Sequence, residues 1–150
     1  MQPKPLAIGV FTKHTAGYYF GAMLSGIHQV TRAAGVPLLV IQGELRDLRL
    51  PPFGADYVAG WIVIHPYEGD RANLAALCAA ETPVVTVPVP LEGMPCTLVQ
   101  VDNRGGMCAA VLHLIDHGHH RIAFVDHGPS TWSVQRYQGY CDALAARHRA

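Results

Sequence analysis

The sequence predicts an α/β fold organised as a doubly wound parallel sheet, and three observations carry that expectation. Apolar, β-branched runs recur at residues 6–12, 37–43, 59–65, 83–88, 97–102 and 122–126. These runs are nearly continuous rather than alternating, as strands covered on both faces read. Between most of them, apolar residues fall three and four apart, the spacing of a helix with one buried face. Alternation of this kind is the pattern of βαβ units.

Taken in order, LAIGVFT at residues 6–12 opens as a strand. Phe20, Met23, Leu24, Ile27, Val30 and Ala34 then form one apolar helix face, stopped by Gly35. After the strand at 37–43, the segment 44–57 departs from the alternation. There ELRDLRL runs into Pro51-Pro52, so a crossover helix is limited to about two turns. The strand at 59–65 leads to a short Ala/Leu helix from Leu74 to Ala80, which ends before Thr82-Pro83. Met107, Ala110, Val111, Leu114 and Ile115 make a third stripe, with Asp102 or Asn103 as its cap and Gly118 as its end. Val134, Tyr137, Cys141 and Leu144 mark a fourth, capped by Ser130 or Thr131.

Half of the 150 residues are hydrophobic and 15% are charged, which makes the chain globular rather than disordered. Net charge is zero, and Lys and Arg gather into no stripe, so direct nucleic-acid contact by these residues is not expected. No apolar run approaches the length of a membrane span, and the N-terminal one is too short for a signal peptide; the expected location is the cytoplasm, with no membrane partner. Cys78, Cys96, Cys108 and Cys141 are scattered without a Cys-x-x-Cys pair and read as small buried hydrophobes. No Walker loop, G-x-G-x-x-G after the first strand or G-x-S-x-G elbow is present, so no enzymatic activity is expected.

In parallel α/β sheets, ligands sit beyond the carboxyl ends of the strands. That rule nominates residues 13–20, 42–43, 65–67, 88–90 and 126–133, with His14 in the first loop and His65 opening the third. The first loop is the richest. Tyr18, Tyr19 and Phe20 stand together at a helix entry, where flat rings either stack on a sugar or base or staple the helix to the sheet. Arg136 lies on the first turns of a helix that follows a strand. Its planar guanidinium can grip two hydroxyls or a carboxylate, although a lone helical Arg ordinarily faces solvent. His113 and His117, with His119 and His120 after them, have a zinc-like spacing. No Cys, Asp or Glu is spaced to complete a set, so neither a metal nor a cofactor is expected.

The pieces fall in an order that resembles the LacI/GalR effector-binding domain, a relative of the type I periplasmic sugar-binding proteins. IGVFT opens the series, followed by an aromatic pair, Ser25-Gly26-Ile27, VAGWIVI, PVVTVPVP and VDNRGG. His113-Leu114, Gly118-His119, RIAFV and the set Ser133, Arg136, Gly139, Tyr140 complete it at suitable spacing. The resemblance implies the N-terminal lobe of a type I periplasmic-binding-protein-like fold plus the start of the second. The first lobe would cover residues 1–102, an inter-lobe helix and crossover 103–121, and the first βα unit of a truncated second lobe 122–150. A complete two-lobed domain needs about 270 residues.

Function follows from the same resemblance. It implies a small-molecule effector, such as a sugar or nucleoside, bound in the inter-lobe cleft by Tyr19, Phe20 and Arg136, with Ser133 and Asp102 as weaker carry-overs. It gives His113 and His119 structural places. The implied protein is the homodimeric sensing domain of a bacterial signal-transduction or transcription regulator, whose ligand shifts an open–closed equilibrium. No helix-turn-helix precedes the first strand. LEGMPCTLVQVDN is similar to LacI-like sensors at the N-terminus of histidine kinases and diguanylate cyclases. The alternative is a LacI/GalR repressor whose DNA-binding head lies outside this chain. An enzyme on a similar sheet and a binding protein without an output are the further rivals.

Overall fold

The computed structural model describes residues 7–45, 57–80, 82–89, 93–126, 128 and 130–147. They fall into two compact units, Met1–Gln100 and Val101–Ala150, each treated by itself below. The short crossover expected around Pro51-Pro52 lies outside the described residues.

In the first unit, β1 (Ala7–Thr12), β2 (Leu38–Gln42), β3 (Val58–Ile64), β4 (Val84–Val87) and β5 (Thr97–Leu98) form a parallel sheet in the order β2-β1-β3-β4-β5. The chain starts in the middle, lays β2 on one side and then crosses to the other, with α1 (Tyr18–Ala33) and α2 (Arg71–Ala79) between strands. Val10 pairs with Val40 on one flank and Ile62 on the other, and is completely buried. β5 is shorter than the run at 97–102 predicts, because its partner β4 ends at Val87 and offers no ladder beyond.

Alternate residues reach opposite faces of this sheet. Phe11, Trp61, Val63, Leu74, Leu77 and Val84 build one core, in which Phe11 stacks on Trp61 with ring centroids 4.7 Å apart. The Trp61 ring occupies the space over its ladder partner Gly9, where a Cβ would collide with it. On the other face, Ile8, Ile62 and Val85 meet Ile27 and Val30 of α1 across a groove of about 640 Å³. The predicted α1 stripe is therefore only partly covered: Phe20, Met23, Leu24 and Ile27 are half-buried, while Val30 and Ala34 are exposed.

The second unit pairs α3 (Asn103–Asp116) with α4 (Thr131–Arg147). Asp102 caps α3 by accepting the Gly105 N–H at 2.8 Å, and Gly118, at φ 84°, lies just beyond its end. Ser130 caps α4 by accepting the Ser133 N–H at 3.2 Å. Val111, Ile115 and Ala143 are buried between the helices, with Met107, Cys108, Leu112, Ile122, Tyr140 and Leu144 against them. Ala110, Leu114, Val134 and Tyr137 belong to the predicted stripes but are exposed. The reason is a close approach: Gly139 packs on the backbone of Arg104 and Cys108, so α4 buries the small residues Ser133, Gly139 and Ala143.

Residues 122–126, predicted as a strand, make no ladder. A strand is defined by a hydrogen-bonding neighbour, and the described residues of this unit supply none. Side chains hold the segment instead. The Tyr140 hydroxyl donates to the Ile122 carbonyl at 2.9 Å, and the Phe124 ring lies 5.5 Å from Tyr137 and 5.6 Å from Tyr140.

Candidate functional site

The strand order of the first unit reverses direction at β1, and in an open α/β sheet that switch point opens a crevice beyond the carboxyl ends of the adjoining strands. Here those ends are Thr12 of β1 and Ile64 of β3. The loop after β1 is fastened on both sides. The Thr12 hydroxyl donates to the His14 carbonyl at 2.9 Å, and Thr15 donates to Gln42 Oε1 at 3.1 Å. Lys13 pairs with Glu44 at 2.9 Å and lies 3.7 Å from the centre of the Tyr67 ring. A string of rings results: Tyr19 sits edge-on to Phe20 at 5.2 Å, Phe20 lies 4.9 Å from His14 and 6.2 Å from His65, and His65 lies 5.3 Å from Tyr67. Phe20 is half-buried while His14 and Tyr19 are exposed. Phe20 is thus the more enclosed ring of the aromatic pair, and Tyr19 the more exposed.

His65 is the unusual residue of this set. It follows β3 with φ 60°, the left-handed region that a non-glycine residue adopts only when its surroundings hold it there. Its Nδ1 is buried without a hydrogen-bond partner among the described residues. Burial, and next the positive charge of Lys13, push its pKa below the ordinary histidine value. A folded state that rejects a proton the unfolded chain accepts loses stability as pH falls. The contribution of His65 is therefore present at neutral pH and declines as pH drops through its depressed pKa. His65→Asn, which tolerates the left-handed backbone, is expected to flatten this decline. Urea midpoints followed by Trp61 fluorescence between about pH 7 and pH 5 would measure it, and equal slopes for both proteins would remove His65 as the cause.

In the second unit Arg136 is exposed but oriented. Its Nε donates to Asn103 Oδ1 at 2.9 Å, and its guanidinium carbon lies 4.9 Å from the centre of the Trp132 ring. Asn103, buried at the first turn of α3, donates in turn to the Val101 carbonyl at 3.3 Å and to Gln135 Oε1 at 3.4 Å. This arrangement fixes the plane of the guanidinium, and the structure gives its terminal nitrogens no partner among the described residues. A planar donor pair held in advance suits two hydroxyls or a carboxylate. Asp102 lies beside Asn103, with its Oδ1 committed to the α3 cap. Ser133 is buried and donates to Asp126, so the structure gives it a bracing position rather than a free hydroxyl.

Some nominated positions bring nothing together. The His113 and His117 rings lie 4.2 Å apart, and His117 Nδ1 is 2.8 Å from the His113 carbonyl oxygen. No group of three or more metal-ligating side chains occurs among the described residues. Pro90, His127 and Pro129 lie outside those residues. The 640 Å³ groove is apolar and flanks Ile8 and Pro83, away from the strand ends that carry the polar groups. Trp132 is legible in the sequence as a partner, standing one helical turn before Arg136. Asn103 carried no such signal, since 33 residues separate it from Arg136.

No family model matches the chain. The HTH-type transcriptional regulator GalR of Escherichia coli (strain K12) aligns at 29% identity over 142 residues, which is 92% of this chain and 41% of that protein. The chain's homologues are LacI/GalR regulators. The structure of the transcription regulator CcpA of Lactococcus lactis covers 97% of this chain and 55% of its own, with a TM-score of 0.78 at 20% identity. A solute-binding protein of an ABC transporter from Mycobacterium smegmatis, with glycerol bound, covers 97% and 54%, with a TM-score of 0.75 at 18% identity. The fold is thus shared by LacI-family regulators and periplasmic-binding-protein-like proteins. The chain spans about two fifths of the curated relative's length. These relatives are regulators and a solute-binding protein rather than enzymes. No helix among the described residues is long and apolar enough to cross a membrane.

Proposed function

We propose that the chain is part of the effector-sensing region of a LacI/GalR-type transcriptional regulator, with Tyr19, Phe20, His14 and His65 of the first unit and Arg136 of the second as ligand contacts. The observation that carries this reading is the pre-oriented Arg136, which donates to Asn103 and lies over Trp132, with its outer nitrogens given no partner among the described residues. The alignment of GalR along 92% of the chain supports a DNA-linked output over the kinase or cyclase output. A neutral polyol, such as a sugar or nucleoside, suits rings beside hydroxyl-binding groups. A ligand that favours one conformation by about 100-fold shifts the equilibrium by roughly 2.7 kcal/mol, enough to reset an assembly. Asp102 and Ser133 serve in this reading as supports of α3 and α4. No metal, cofactor or catalytic step is part of it, and the homodimer belongs to the proposal.

The test is calorimetric titration of the full-length protein with a panel of monosaccharides and nucleosides, repeated with Arg136→Ala. The variant is expected to bind the identified effector about 100-fold more weakly, with unchanged circular dichroism. Arg136→Lys should not restore affinity, because an ammonium cannot reproduce the planar fork. Unaltered affinity in a folded Arg136→Ala protein would remove Arg136 from the site.

A further inference from the structure

The histidines at the end of α3 lie outside the effector-sensing reading, and the structure gives two of them a specific relation. His113 is in the last turn of α3 and His117 caps it, so one helical turn sets both on the same side of the helix. Both are exposed, and their rings lie 4.2 Å apart at an angle of 42°. His117 Nδ1 is 2.8 Å from the His113 carbonyl oxygen. A carbonyl oxygen only accepts, so the neutral ring carries its proton on Nδ1 and keeps the lone pair of Nε2 for another partner. Metal-ligating histidines are commonly held in this way, with the second ring nitrogen fixing tautomer and orientation. The last carbonyls of the helix add partial negative charge, which favours a cation.

We propose that His113 and His117 form a two-imidazole surface site for a divalent ion of the nickel–copper–zinc class, the ions that imidazole suits. At metal–nitrogen distances of about 2.0–2.1 Å, two nitrogens on one ion stand about 3 Å apart. Small side-chain rotations bring rings 4.2 Å apart to that separation. Once one imidazole has bound, the second binds intramolecularly at a high effective concentration. Among the described residues no third Cys, His, Asp or Glu side chain joins the pair, so the remaining coordination positions fall to water or to an added chelator. The pair thus differs from a structural zinc site, which is closed by four protein ligands. Asn103 begins α3 and His113 stands nearly three turns further on, about 15 Å along the axis at roughly 1.5 Å per residue. The inference is therefore independent of Arg136 as an effector contact.

The probe is nickel(II)–nitrilotriacetate, a tetradentate chelate that leaves two adjacent positions of an octahedral ion for two imidazoles. Calorimetric titration of the untagged protein is run at about pH 7.5, since a ligating imidazole must be unprotonated. One site per chain is expected. His113→Ala and His117→Ala should each weaken binding by about tenfold or more, because a single imidazole loses the intramolecular gain. His119→Ala/His120→Ala should leave the affinity unchanged. Each single substitution replaces an exposed histidine by a stronger helix former, so circular dichroism should be unaltered. Saturating chelate should raise the thermal midpoint of the parent but not of His117→Ala, since unfolding destroys the helical spacing of the rings. A parent protein that does not bind the chelate would overturn the proposal. So would binding that survives either single substitution, or that is lost only in the His119/His120 variant.

Discussion

Replacing Trp61 with alanine is expected to cost the first unit about 3–5 kcal/mol, a large share of the roughly 5–15 kcal/mol that holds a domain folded. Trp61 is buried, stacks on Phe11 and belongs to the core formed with Val63, Leu74 and Leu77. Its removal leaves a void bounded by a rigid sheet, which cannot collapse to fill it. Urea unfolding followed by circular dichroism would measure the loss, with Trp132 remaining as the fluorescent reporter of the second unit. A companion variant identifies the mechanism. Gly9→Ala alone is expected to destabilise by about 1–3 kcal/mol, because its Cβ would meet the Trp61 ring. In the Trp61→Ala background the same change should be close to neutral. Equal costs in both backgrounds would show that the ring is not what excludes a side chain at Gly9.

Gly139→Ala is expected to destabilise the α3–α4 pair by about 3 kcal/mol, at the upper end of overpacking costs. A Cβ there meets the Arg104 carbonyl and the Cys108 amide. Neither can rotate away as a side chain would, so the helices must separate and uncover Val111, Ile115 and Ala143. Alanine is worth about 1 kcal/mol over glycine in a helix interior, and the collision exceeds that gain. Gly106→Ala on α3 is the control, since nothing among the described residues lies within 4 Å of its Cβ. It should stabilise by about 0.5–1 kcal/mol. Thermal unfolding monitored by Trp132 fluorescence separates the two cases, and a Gly139→Ala protein as stable as the parent would mean that the helices accommodate the methyl group. The exposed Arg104–Asp142 pair, at 2.6 Å, bridges the same helices but is screened by salt and cannot compensate.

The sequence by itself determined the alternation of strand and helix in the first unit. Continuous β-branched runs of strand length suit burial on both faces of a sheet, and β1, β3 and β4 appear where those runs lie. The caps were equally legible, because Asp102, Ser130 and Gly118 act through their own backbone neighbourhood. The strand-end rule likewise points to the segments bearing His14, Tyr19 and His65 without needing their partners, and their rings gather with Phe20 beyond β1 and β3.

What only the tertiary structure decided are the relations between residues distant in the chain. Hydrophobic periodicity assigned Val134 and Tyr137 to the buried face of α4, but the close approach at Gly139 turned that face outward and buried Ser133 and Ala143. A run of apolar residues at 122–126 specified extended backbone but could not supply the neighbour that makes a strand. The grip of Asn103 on Arg136 and the left-handed turn at His65 are likewise absent from any local pattern. Local chemistry is written in neighbouring residues, whereas packing distance is set by the shape of whichever surface the fold brings opposite.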